Sequence, residues 1–200
     1  MKPFKMLILL LTIPLILGCA RSPQRHFYTL REPAQPSRQR IAPGSGPLSV
    51  VIGPVTVPDG VDRNQIVTRS SANQLDISDL HRWAEPLSSE VPAVLAANLS
   101  RDLGRAALVS VQGQETAAAD ADFRVAVDII RFESTLGDSA TVEAAWIIRD
   151  KHSSQTQRGQ SLAREPAGDQ SYDALVAAYT HALKRISRDM ATAIRSESPR

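Results

Sequence analysis

Hydrophobic positions along the chain recur with changing period, and the changes mark its elements. Residues 6–17 are almost wholly apolar, a run of about a dozen, where a bilayer span needs roughly 20. Residues 48–57 read as a strand, with Gly53-Pro54 predicting a bulge or an edge position because proline brings no N–H to a central ladder. Gln65 to Arg69 forms a second strand, residues 74–77 return as a hairpin, and His81-Arg82-Trp83-Ala84 is extended ahead of Pro86. Over residues 87–104 the period becomes helical. Val91, Leu95, Leu99 and Leu103 make one apolar stripe, Ser89 is placed to cap it and Gly104 to stop it.

Residues 107–112 are a short strand and 122–135 a long one, in which Phe123, Val125, Val127 and Ile129 alternate with polar or small residues. Ile130 and Phe132 then break the alternation by one position, which predicts a bulge near Ile129. Residues 141–149 pair back as a hairpin with Val142, Ala144, Trp146 and Ile148 on one face, and 158–165 form a more exposed strand. Residues 171–195 are a long amphipathic helix in which Tyr172, Leu175, Tyr179, Leu183, Ile186, Met190 and Ile194 step by three or four, against a charged flank of Lys184, Arg185, Arg188 and Asp189. The expected fold is α+β: a two-layer sandwich of a mostly antiparallel sheet with two main helices on one face.

The opening segment is of a different kind. Lys2 and Lys5 precede the apolar run, and the run ends Ile16-Leu17-Gly18-Cys19. A basic head, a short apolar stretch and a small residue at the cut site make a secretory signal. Ile16-Leu17-Gly18-Cys19 resembles the lipoprotein-signal pattern of an aliphatic residue, two positions ending in Gly or Ala, then Cys, which implies cleavage after Gly18. A thioether to diacylglycerol needs a thiol, and Cys19 is the only cysteine in the chain. An unpaired thiol in an oxidising compartment calls for a reason, and lipidation is one. Multiple acyl chains anchor stably where one binds reversibly. Ala20 stands where Asp would hold such a protein at the inner membrane, so the expected location is the inner leaflet of the outer membrane, facing the periplasm.

The chain thus divides into a signal peptide, 1–18, a lipidated cysteine with a proline-rich tether, 19–47, and a single periplasmic domain, 48–200. Residues 31–47 of the tether would span roughly 50 Å if extended and set the domain off the membrane. Within the tether, Phe27 to Leu30 is strand-like and suited to a sheet edge.

Removing the first 18 of 200 residues leaves 182, room for one domain with a real core. It also removes Lys2 and Lys5, turning 23 basic and 21 acidic residues into 21 of each. A neutral chain without a basic stripe is not expected to bind nucleic acid. His26, His81, His152 and His181 lie in a tether, a strand edge, a turn and a helix, so no metal site is expected. There is no nucleophile-elbow or phosphate-loop motif, and Asp120 and Asp122 read as a solvated turn. No catalytic residue and no cofactor beyond the lipid on Cys19 are expected, and the chain is not read as an enzyme.

One segment stands out. His81-Arg82-Trp83-Ala84-Glu85-Pro86-Leu87 sets a large aromatic between an arginine and an acid at a strand-to-helix corner. Either Trp83 enters the core while Arg82 and Glu85 pair at the surface, or Arg82, Trp83 and Glu85 form a partner interface, where Trp and Arg are frequent anchors.

Taken in order, the lipobox, Tyr28-x-Leu30, Gly53-Pro54-Val55-Thr56-Val57-Pro58, Asp62-Arg63-x-Gln65-Ile66-Val67-Thr68-Arg69, His81 to Leu87 and Asn98-Leu99-Ser100 resemble the PqiC-type ABC-transport auxiliary lipoproteins over nearly all of the mature chain. The resemblance implies a non-enzymatic accessory of an MCE-domain lipid-transport system, a homo-oligomeric ring at the outer membrane that receives the end of an MCE tube. A structural lipoprotein of envelope assembly or secretion is the alternative.

Overall fold

The computed structural model describes residues 23–30, 48–104, 107–113, 121–153 and 155–197. Cys19, Gly18 and the rest of residues 1–22 lie outside them, as do residues 31–47 and Asp120. The elements run β1 (His26–Tyr28), β2 (Leu48–Thr56), β3 (Gln65–Ser71), β4 (Gln74–Trp83), α1 (Leu87–Leu103), β5 (Ala107–Val111), β6 (Phe123–Thr135), β7 (Ser139–Asp150), β8 (Thr156–Pro166) and α2 (Tyr172–Glu197).

The α+β class is borne out, with the strands shared between two sheets. A five-stranded sheet has the order β5-β2-β6-β7-β8, and a three-stranded one the order β1-β4-β3. The pairing is mixed. β2 runs parallel to both β5 and β6, whereas β6, β7 and β8 form an antiparallel meander. β2 is therefore a central strand. Pro54 is accommodated there by a register shift between Ile52 and Val55, so of the two sequence expectations for Gly53-Pro54 the bulge forms and the edge does not. The phase break in β6 is also a bulge, between Ile129 and Arg131, and it leaves Ile130 exposed while Phe132 returns to the core.

Both helices pack on the five-stranded sheet, α1 over β2 and β5, α2 over β7 and β8, and against each other. Val91, Leu95 and Leu99 of α1 and Leu175, Tyr179, Leu183, Ile186, Met190 and Ile194 of α2 are all buried, as their spacing requires. They meet Val125, Val127, Val142, Ala144 and Ile148 of the sheet in one continuous core. The two helix starts are capped differently. Ser171 Oγ accepts from the Ala174 N–H at 3.1 Å, a cap within α2. At α1 the expected Ser89 cap is absent: no side-chain cap bond forms from Pro86, and Asp62 Oδ1, from the turn before β3, accepts from the Ser88 N–H at 3.0 Å.

Asp122 is not a solvated turn residue. It accepts from the Ser49 N–H at 2.7 Å, the Ser49 hydroxyl at 2.8 Å and His152 Nε2 at 2.8 Å, fastening the start of β6 to the start of β2. Burial alone would raise this carboxyl, but the Ser49 backbone and the His152 imidazole outweigh it and hold the group below the ordinary carboxylate value.

Candidate functional site

The chain enters the fold at β1, the edge of the three-stranded sheet. β1 lies parallel to β4 with His26 opposite His81, Phe27 opposite Arg82 and Tyr28 opposite Trp83. The Ala84 N–H donates to the Tyr28 carbonyl at 2.8 Å and closes the ladder. Two residues further on, Leu30 is 1% exposed and buried in the main core. Its N–H donates to Glu90 Oε2 at 2.8 Å, and the Thr29 hydroxyl donates to Glu90 Oε1 at 2.7 Å. Glu90 is itself buried, in the first turn of α1. A buried carboxylate is costly unless both oxygens find donors, and here β1 and the residues after it supply them. The N-terminal segment is thereby part of the folded body.

On one side of β1 the rings stack. His81 lies 3.8 Å from Tyr172 and 5.2 Å from His26, centroid to centroid, with nearly parallel planes. The Tyr28 hydroxyl is 2.7 Å from His81 Nδ1. Partial burial, then His26, lower the pKa of His81 below its ordinary value, against the opposing pull of Asp173. Neutral His81 can accept the Tyr28 proton, and burial followed by Asp173 raises the Tyr28 phenol so that it keeps that proton. The stack joins β1, β4 and the start of α2.

Trp83 ends β4 with its side chain 3% exposed. It packs edge-on against Phe132 and Tyr179, which stack on each other at 4.0 Å. The first of the two sequence readings therefore holds for this side chain. Trp83 belongs to the core of the single chain, because the sheet-to-helix corner turns it inward over the bulged end of β6. Arg82 is half-buried, its Nε donating to the Asp79 carbonyl at 3.1 Å, and Glu85 is exposed. Glu90 went unrecognised in the sequence beyond its favourable place in a first helical turn. Nothing local marks a glutamate that clamps a strand sixty residues away.

Among the described residues no group of three or more His, Cys, Asp or Glu side chains is placed to hold a metal ion. No described helix is long and apolar enough to cross a membrane. His181, Lys184, Arg185 and Arg188 of α2, with Glu165, line a shallow open depression, where Arg185 pairs with Glu165 at 3.1 Å. The N-terminal strand is thus fastened to the body by the β4 ladder, the ring stack and Glu90.

The family of this body is established by comparison. Residues 28–191 match the ABC-type transport auxiliary lipoprotein component family, and the chain belongs to it. Its first residue in the match is Tyr28 of β1. Two crystal structures are similar. One, of an uncharacterized protein, is 22% identical with a TM-score of 0.66, covering 86% of this chain and 99% of that one. The other, of a Xanthomonas campestris protein, is 17% identical with a TM-score of 0.58, covering 79% and 94%. At these identities the likeness is one of fold. Among curated protein sequences nothing matches.

Proposed function

We propose that this protein is a membrane-anchored accessory of an ABC-type intermembrane lipid-transport system, acting by docking to an MCE-domain component and not by catalysis. Its membership of the auxiliary lipoprotein family supports the accessory role. The anchor is Cys19, modified with lipid and exposed as the new N-terminus by cleavage after Gly18. With Ala20 following, the protein resides in the inner leaflet of the outer membrane and faces the periplasm. Copies of the chain assemble as a ring on the end of the MCE tube, and phospholipid passes through or beside it. The observation that carries this reading is a family match beginning at residue 28 on a chain whose one cysteine closes a lipobox nine residues earlier.

Cells making the natural chain or Cys19→Ala are fed a clickable palmitate analogue, cross-linked and fractionated. The expected result is label on the natural chain only, cross-linked species above the monomer, and an MCE-domain protein recovered with it from membranes. An unlabelled natural chain refutes the anchor. Secretion components in place of the MCE protein refute the transport role, and a strict monomer refutes the ring.

A further inference from the structure

The residues between Cys19 and β1 limit how the body can sit. His26, seven positions after Cys19, is already paired to His81. Seven residues reach ~25 Å at full extension, and the headgroup layer takes up about 5–7 Å of that. Residues 31–47 add nothing to this reach. They follow Leu30, which Glu90 holds in the core, and precede Leu48 at the start of β2. They join two fastened points of the body and are not interposed between body and anchor. The stand-off of roughly 50 Å expected from that segment is therefore not available.

The strand nearest the anchor also has an unusual surface. Phe27 is 65% exposed, more than any other large hydrophobic among the described residues. Side chains alternate along a strand, so Phe27 faces away from the ring stack of His26, Tyr28, His81 and Tyr172, on the same side as Arg25. Arg25 is exposed, and Arg82 stands opposite Phe27 in the ladder. An exposed aromatic flanked by two guanidinium groups suits the boundary where acyl chains meet anionic headgroups.

We propose that the outer face of β1, with Phe27 at its centre and Arg25 and Arg82 beside it, rests on the phospholipid bilayer that holds Cys19. This rests on the lipid anchor assigned above. Tyr172 begins α2 next to β1, and Arg195 near its far end donates to the Asp102 carbonyl at the end of α1. That end lies ~35 Å along the helix from Tyr172, remote from the strand proposed to meet the membrane.

Lipidation uses the only native thiol, so an introduced cysteine can be labelled alone. The full lipoprotein carrying Phe27→Cys, or Leu108→Cys as the distant exposed control, is labelled with a nitrobenzoxadiazole dye. Each is reconstituted into phosphatidylethanolamine–phosphatidylglycerol vesicles with or without nitroxide lipid bearing its spin near the headgroup. The expected result is a blue-shifted dye at position 27 that loses most of its emission to the nitroxide, and an unaffected dye at position 108. Equal emission with and without nitroxide at position 27, in protein that floats with the vesicles, overturns the proposal and leaves the anchor standing. Quenching at both positions also overturns it, since no face is then preferred. Protein that carries no lipid and fails to float overturns the anchor and this proposal together.

Discussion

The Leu30 N–H and the Glu90 carboxylate are bonded at 2.8 Å across sixty residues of sequence, both of them buried. The bond makes one unit of an edge strand and the first turn of a helix that the sequence separates widely. Hydrogen bonds to a charged acceptor contribute more than neutral ones, and losing the acceptor leaves the Leu30 N–H buried and unpaired. Glu90→Ala is expected to cost about 2–3 kcal/mol and to release residues 23–30. Glu90→Gln, which keeps an acceptor oxygen, is expected to cost about 1 kcal/mol. Chemical denaturation gives the stability. Trypsin cleavage after Arg25 reports the release, and unchanged cleavage in Glu90→Ala would contradict the clamp.

Trp83, Phe132 and Tyr179 form a closed ring cluster between β4, β6 and α2. Trp83→Ala is expected to destabilise by about 3–5 kcal/mol, as for other large aromatic truncations, and Trp83→Phe by distinctly less. Thermal unfolding of the purified body measures this without any partner present. An alanine variant as stable as the natural chain would restore Trp83 to the surface.

Gly159 stands opposite Trp146 in the β7–β8 ladder. A Cβ there would come within 2.1 Å of the indole ring. The indole N–H donates to Ser161 Oγ at 3.2 Å, and that hydroxyl donates to Asp189 Oδ2 of α2 at 2.7 Å. Gly159→Ala is expected to displace the indole and cost about 1–3 kcal/mol, the usual range for overpacking. A red-shifted Trp146 emission in a Trp83→Phe background would report the displacement. A stable variant with unshifted emission would count against the close approach.

The ring stack at β1 is expected to weaken with acid. Folded His81 has its pKa below the ordinary 6.5, so between the two values the unfolded chain binds the proton more readily than the folded one. The contribution is complete above 6.5 and lost as pH falls through the folded value. The imidazole should titrate below 6.5 by NMR, and amide exchange at Tyr28, corrected for its intrinsic rate, should be faster at about pH 5 than at about pH 7.5. His81→Asn should remove most of that difference. A His81 midpoint above 6.5 would reverse the argument.

What could be read from the sequence was what is local and periodic. The stripes on α1 and α2 predict their buried residues, and the slip at Ile130 locates the β6 bulge, because a period-2 pattern cannot change phase without an extra residue. Pairing was less legible. Proline after Gly53 fits both an edge strand and a bulge, and only the strands on either side of β2 decide. The division into two sheets has no signature in the strands themselves. Trp83 carried two readings, since a tryptophan beside an arginine looks alike in a core corner and in an interface. Asp62 and Glu90 escaped because each acts on a segment far away in the chain, where residue type says nothing of the partner.

The last helix closes the core. Its buried row from Leu175 to Ile194 covers strands β7 and β8 made just before it, and Tyr179 completes the ring cluster that Trp83 and Phe132 begin. Without that helix the β7 and β8 part of the sheet has no cover on its apolar side, although α1 still lies over β2 and β5. A chain stopped before Tyr172 is expected to associate through this uncovered side, which sedimentation of the expressed fragment measures.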